Sequence, residues 1–187
     1  MKLLGLDIST TVTAYTLVDT ERPENDLVVK YEGIHLSKKK SLYDKAEIIK
    51  ETFQNLSQNH TIDKVYAEES LQAFRRGLSS AKTLSTLTRF NGIVCYLAQG
   101  IFRAEVDLIN VIHARSKLCI KLDRKSNIKT KDQVLSWALS NPSLTNIDWP
   151  EKTLKSGPRA GLTVKDPSCY DIADAAVMSL YGMISQN

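Results

Sequence analysis

Four carboxylates stand in positions where an unpartnered acid is destabilising. Asp7 ends the apolar run Leu3-Leu4-Gly5-Leu6, and Glu68 ends the run Val65-Tyr66-Ala67. Asp171 and Asp174 open an apolar helical pattern near the C-terminus. Acids at the ends of buried strands are unfavourable unless something cationic sits among them. A pair of divalent metal ions would fill that role, and two ions held ~4 Å apart by carboxylates hydrolyse phosphodiesters by in-line attack of water. The pattern points to a metal-dependent nuclease. Residues three apart on a helix are neighbours, so Asp171 and Asp174 can reach one site. First-turn acids also favour the positive end of the helix dipole. That plainer reading covers the helix pair but not Asp7 or Glu68. Asp7 could alternatively make a turn with Ser9 and Thr10, and Glu69 competes with Glu68, since successive strand residues point to opposite faces.

The elements that must position these acids follow from hydrophobic period. Leu3–Ile8 reads as a buried strand, Thr13–Val18 as a second after a short hairpin, and Leu27–Ile34 as a third. Ser37-Lys38-Lys39-Lys40 is a basic loop. Leu42, Ala46, Ile49, Phe53 and Leu56 share one helical face, with Ser41 as N-cap. Val65–Glu68 is a strand, and a long helix starts near Ser79 or Ser80, its stripe formed by Ala81, Leu84, Leu87, Val94 and Leu97 and loosened at Asn91-Gly92. Val106–Ile112 is a further strand. Thr130 caps a shorter helix that Asn141-Pro142 stops. Residues 148–168, with prolines, glycines and few apolar side chains, read as a mobile loop. The last helix runs from about Asp171, with Ile172, Ala175, Ala176, Ser179 and Met183 as a small-residue packing face. Three strands, then helix, strand, helix, strand, helix, helix, is an α/β order of the ribonuclease H-like kind: a mixed five-stranded sheet flanked by helices, in one domain over 1–187.

The motifs sharpen this into a family resemblance. Leu4-Gly5-Leu6-Asp7-Ile8-Ser9 resembles the first-strand motif of the RuvC-like Holliday-junction resolvases, and Val65-Tyr66-Ala67-Glu68-Glu69 their second acidic motif. Asp171-Ile172-Ala173-Asp174-Ala175-Ala176 is similar to their C-terminal helix, Thr88-Arg89-Phe90-Asn91-Gly92 to a basic, glycine-containing helix segment, and Lys131-Asp132-Gln133-Val134 to the start of the penultimate helix. The motifs keep the family's order over residues 3–182. The resemblance implies a structure-selective endonuclease that resolves four-way DNA junctions by paired cuts, leaving 5′-phosphates. Asp7 would bridge two Mg²⁺ or Mn²⁺ ions, Glu68 and Asp171 would bind one and Asp174 the other; the alignment favours Glu68 over Glu69. It also implies a homodimer matching the two-fold symmetry of the junction, with the small-residue helix Ser79–Leu97 as interface. A nuclease for branched or flap DNA, or a non-catalytic DNA-binding module on the same scaffold, are the alternatives. The long Trp149–Ser168 loop and the extended Arg115–Lys131 segment suggest a phage, viral or organellar branch.

Charge distribution agrees with a polyanionic substrate. The net charge is only +4, but Ser70 to Ala104 holds no acid while carrying Arg75, Arg76, Lys82, Arg89 and Arg103. Arg115, Lys117, Lys121, Arg124, Lys125, Lys129 and Lys131 face a single acid, Asp123. Basic surface around an acidic centre attracts phosphates while the acids hold catalytic ions. Phe74, Arg75, Arg76, Lys82, Arg89, Arg115, Lys117, Lys129 and Lys131 are the expected DNA contacts, with Phe74 either a wedge between bases or a core anchor of its loop. His35, His60 and His113 fit plain structural roles.

Other classes fit poorly. Gly5-Leu6-Asp7 also begins strands of the actin-like ATPases and sugar kinases, but those need two such domains and phosphate-gripping glycine loops, which are missing here. No apolar stretch approaches the ~20 residues of a membrane span, and the acid at position 7 interrupts any signal-like run. Cys95, Cys119 and Cys169 are odd in number and far apart. That suits thiols in a reducing compartment: the cytoplasm, a host cell's cytoplasm for a viral protein, or an organelle matrix.

Overall fold

Strand β1 (Lys2–Asp7) points Leu3, Gly5 and Asp7 to one side and Leu4 and Leu6 to the other, as the two-residue period of a pleated strand requires. A computed structural model describes residues 1–36, 40–69 and 81–186 of the chain. In it β1 pairs antiparallel with β2 (Val12–Asp19), which pairs antiparallel with β3 (Val28–His35). Helix α1 (Leu42–Asn59) follows, started by a reciprocal cap: Ser41 Oγ accepts from Asp44 N (3.1 Å), and the Asp44 carboxylate accepts from Ser41 N (3.0 Å). Strand β4 (Lys64–Glu68) lies parallel to β1, and after α2 (Ala81–Phe102) strand β5 (Glu105–Ile109) lies parallel to β4. Helices α3 (Val111–Lys117) and α4 (Thr130–Ser140), a two-stranded hairpin of β6 (Glu151–Thr153) and β7 (Thr163–Lys165), and α5 (Ser168–Ser185) complete the described chain.

The main sheet runs β3-β2-β1-β4-β5, so the strand bearing Asp7 is central. Leu4, Leu6, Tyr15, Leu17, Val65 and Ala67 pack under α1 and α2 with Phe53, Phe90 and Val94. On the opposite face Leu3, Ala14, Val18 and Tyr66 pack against α3, α4 and α5 through Ala114, Val134 and the α5 residues Ile172 to Leu180. This is the mixed five-stranded α/β sheet flanked by helices that the sequence order predicts.

Four elements differ from the sequence reading. The strand expected to reach Ile112 ends at Ile109, because the Asn110 side chain accepts hydrogen bonds from Ile112 N (3.0 Å) and His113 N (3.2 Å) and starts α3 instead. A local cap outweighs the β-branched run Val111-Ile112. Helix α4 takes Lys129, not Thr130, at its N-cap position, with no side-chain cap. Helix α5 begins at Ser168, three residues before Asp171, because Asp166 Oδ1 accepts from both Ser168 N (2.9 Å) and Ser168 Oγ (2.8 Å). Within the segment expected to be a loop, Glu151 pairs with Lys165, Lys152 with Val164 and Thr153 with Thr163. The expected helix start at Ser79 or Ser80 lies outside the described residues.

Candidate active site

A glycine sets the site. A Cβ on Gly5 would overlap the Ala175 carbonyl oxygen and the Ser179 amide nitrogen, so its absence lets α5 lie directly on β1. The alanines and serine of α5, Ala173, Ala175, Ala176 and Ser179, are fully buried and keep that approach close. Asp7 is two residues beyond Gly5 on the same face of the strand and so meets the N-terminal half of α5, where Asp171 and Asp174 lie. Register adds Glu68: Leu6 pairs with Ala67, so Asp7 and Glu68 end neighbouring parallel strands. Tyr66 packs with the α5 cluster, and Glu68, two residues on, shares its face. Glu69 follows on the opposite parity, and its amide donates to Ile109 O (2.9 Å). Asn91 of α2 steadies the end of β4, its Nδ2 donating to Glu68 O (3.0 Å).

The four carboxylates feel one another. Burial raises the Asp7 carboxyl well above its usual range, and the charges of Asp174, Glu68 and Asp171 push it further. Burial and then Asp174 push Glu68 up to about 7. The same two causes push Asp171 up to about 6, against the opposing charges of Lys131 and His35. Asp174 is raised by burial, although the guanidinium of Arg115 opposes it through its charge and a hydrogen bond. Arg115 Nη2 donates to Asp174 Oδ1 at 2.7 Å, with the side chains 15% and 19% exposed. The sequence places Arg115 among the DNA contacts; the structure places it against an acid, because α3 turns the chain inward where a longer strand was expected. Its Nε is buried without a hydrogen-bond partner.

The donor set fits hard divalent cations: carboxylate oxygens, several of them, partly withdrawn from water. Among the described residues no three His, Cys, Asp or Glu side chains already stand as a metal cage. Arg115 keeps one oxygen of Asp174. One guanidinium neutralises only part of four acids, and each remaining charge favours an added cation.

Of the expected DNA contacts, Lys82, Arg89, Lys117, Lys129 and Lys131 are exposed. Arg89 Nε donates to Ser85 O (3.3 Å) on its own helix. Lys131 lies over the Tyr170 ring, 4.4 Å from its centroid, while Tyr170 Oη donates to Asp132 Oδ1 (2.8 Å), which brings the start of α4 beside Asp171. Gln133 organises the preceding basic stretch: its Oε1 accepts from Asp123 N (2.7 Å), and its Nε2 donates to Asp123 O and Ile128 O (each 2.9 Å). Phe74, Arg75 and Arg76 lie outside the described residues. Sequence reasoning named Asn91 and His35 without placing either beside the acids, and it missed the role of Arg115. Only Asn91 left a signal, a polar residue on an otherwise apolar stripe.

No protein-family model matches the sequence, and no curated protein matches it either. Solved structures do. Thermus thermophilus RuvC bound to a Holliday-junction substrate superposes with a TM-score of 0.63 at 14% identity, over 99% of this chain and 96% of that one. A second structure of Thermus thermophilus RuvC gives 0.61 at 16% identity, over 100% and 97%. The yeast mitochondrial Holliday-junction resolvase Ydc2 gives 0.60 at 13% identity, over 97% and 77%. With its central β1, its three antiparallel strands and its C-terminal helix against the sheet, the chain has the ribonuclease H-like fold in the form seen in RuvC.

Proposed function

We propose that this chain is a divalent-metal-dependent endonuclease that resolves four-way DNA junctions. The observation that carries the reading is the meeting of Asp7, Glu68, Asp171 and Asp174 at one end of the sheet, with burial raising all four and the charge of Asp174 pushing the other three further. Asp7, Glu68, Asp171 and Asp174 would hold two Mg²⁺ or Mn²⁺ ions, which when bound supply Lewis-acid activation of water and neutralise charge on the leaving 3′ oxygen. Asp7, at the end of the central strand, is coupled to Glu68 on the neighbouring strand and to both acids of α5, and would be a ligand common to the site. Glu68 is held by its strand and by Asn91, and Asp171 and Asp174 by successive turns of α5, so the oxygens are fixed before substrate arrives. The guanidinium of Arg115 stands beside the acids, where the scissile phosphate must lie. Cleavage of this type leaves 5′-phosphate ends.

A junction with near two-fold symmetry asks for two matched sites, so the active form is a homodimer. The face shared by α1 and α2 suits that contact: Tyr43 and Tyr96 are 78% and 77% exposed beside Ala46, Ile93 and Leu97. The free thiols accord with a reducing, cytoplasmic setting.

The test is cleavage of a labelled four-way junction against linear duplex and a three-way flap, in Mg²⁺ or EDTA, with Asp7→Asn as control. Paired symmetric nicks in the junction alone, requiring both metal and Asp7, are expected. Equal cutting of the flap moves the assignment to a general branched-DNA nuclease. Binding without cutting leaves a DNA-binding scaffold.

A further inference from the structure

The β6–β7 hairpin is absorbed by none of the roles above, and its construction is specific. From Lys152 to Lys165 there are four cations and no acid. Lys165 is paired with Glu151 at 2.8 Å, which ties the two strands together at the base. Lys152, Lys155 and Arg159 are exposed and make no ion pair among the described residues. The tip is ordered by its own backbone: Leu154 N donates to Leu162 O (3.0 Å), Gly161 N to Leu154 O (2.8 Å), and Ala160 N to Gly157 O (3.0 Å). Gly157 (φ 83°) and Gly161 (φ 88°) take the left-handed backbone that closes it.

The base is clamped to the helix that carries two of the acids. Asp166 N donates to Pro150 O (2.8 Å), and Cys169 Sγ donates to the same oxygen (3.2 Å). Trp149 and Cys169 are buried in one cluster with Ile172. Tyr31 Oη of β3 donates to Asp148 O (2.8 Å), holding the other side. Asp166, which starts α5 by accepting from Ser168, stands five residues before Asp171. His35 lies within electrostatic reach of both Asp166 and Asp171, and Lys152 of Asp166. The base of the hairpin is thus fixed against the start of α5, with Lys152 near Asp166 and five residues separating Asp166 from Asp171.

We propose that the β6–β7 hairpin is a DNA arm, with Lys152, Lys155 and Arg159 gripping backbone phosphates of the duplex that emerges beside the acids. This rests on the reading of the chain as a DNA junction nuclease. A two-stranded ribbon is narrow enough to follow a groove, and the tip sequence Ser156-Gly157-Pro158-Arg159-Ala160-Gly161 presents no Asn, Gln or acid to read base edges. Phosphate contacts of this kind add affinity and orientation and carry no sequence information themselves.

The experiment compares wild type with the triple variant Lys152→Ala/Lys155→Ala/Arg159→Ala, and with Lys152→Arg/Lys155→Arg/Arg159→Lys, for binding to a fluorescent four-way junction in EDTA over a salt series. Loss of three phosphate contacts lowers the slope of log affinity on log salt by about 2.7. Between 50 and 200 mM salt the alanine variant then loses about 40-fold less affinity than wild type, and the charge-conserving variant behaves as wild type. Thermal melting checks that the alanine variant remains folded, as expected for exposed side chains. A lowered slope supports the arm even if wild type proves unable to cut, which would sink only the nuclease reading. An unchanged slope in a wild type that cuts junctions overturns the arm and leaves the nuclease standing. An unchanged slope with altered elution on a sizing column makes the hairpin a subunit contact and also overturns the arm. A wild type that does not bind the junction overturns both.

Discussion

Replacing Arg115 by methionine isolates the electrostatics of the acidic centre. The change keeps most of the side-chain volume and removes the guanidinium whose Nη2 lies 2.7 Å from Asp174 Oδ1. Removing one partner of a buried pair costs about 3–5 kcal/mol, because the other charge stays buried and unmatched. Here the lower end applies. Both side chains keep some contact with water, and Asp174, already raised by burial, escapes part of the penalty by taking up a proton. A loss of about 3 kcal/mol in a domain of this size lowers Tm by roughly 6–12 °C. The assay is thermal unfolding of wild type and Arg115→Met in EDTA and in excess Mg²⁺. A divalent ion supplies the missing positive charge, so Mg²⁺ should raise the variant's Tm by several degrees more than the wild type's and close most of the gap. Lowering the pH toward 4.5 in EDTA should close it too, since neutral carboxyls need no cation. Adding Asp174→Asn to Arg115→Met should recover part of the lost stability. The reasoning is refuted if Arg115→Met melts with wild type in EDTA, or if Mg²⁺ lifts both proteins equally.

Proton linkage gives a second expectation. Glu68 rises from its ordinary 4.5 to about 7 and Asp171 from 3.8 to about 6. The folded protein therefore binds these protons more tightly than the unfolded chain, and their contribution is complete below the unfolded values and lost as pH rises through about 6 to 7. Metal binding near pH 6.5 must then release protons; calorimetry in buffers of different ionisation enthalpy reads the number, and zero release would contradict the shifts. Asp7→Asn should abolish cleavage yet raise Tm in EDTA, since it removes the acid most crowded by its neighbours; a lower Tm would mean that Asp7 is held by a favourable partner instead. Gly5→Ala should cost about 3 kcal/mol or more, as a methyl forced into backbone atoms has no side chain to displace, and should weaken Mg²⁺ binding by displacing α5 from Asp7. Wild-type melting and Mg²⁺ affinity in that variant would remove Gly5 from the construction of the site.

The legible parts of the sequence were those governed by period and caps. The apolar run of Leu3 to Leu6, the stripe from Leu42 to Leu56 with Ser41 before it, and the small residues of α5 reproduce the observed elements closely, because β1 is buried on both faces and α1 on one. The acids were legible as chain ends of apolar runs, and strand parity, read from the packing of Tyr66, explains the preference for Glu68. What escaped is what depends on one side chain meeting a distant partner. Asn110 converts an apolar, β-branched run into α3, and no periodicity announces that choice. Arg115, one of many cations in its stretch, differs from Lys117 only because α3 turns it toward Asp174, 59 residues away. The hairpin within 148–168 escaped because its strands are three residues each and exposed, so they bury no face that would leave a pattern.

Arg115 also limits the repulsion that this centre imposes on the fold. Four acids brought together by Gly5, by the β1–β4 register and by α5 would repel one another at neutral pH. Two responses limit the damage. Glu68 and Asp171 shift to about 7 and 6, so they are partly protonated near neutrality. Asp174, which acts on all three of the other acids, is the one Arg115 holds. A single fixed cation on Asp174 also opposes the shifts of Asp7 and Glu68, while two divalent ions would still add charge that the site lacks. The guanidinium thus offsets part of the repulsion and leaves the rest for added cations. For that reason Mg²⁺ should stabilise even the wild-type protein, and an acidic cluster already satisfied by Arg115 would show no such gain.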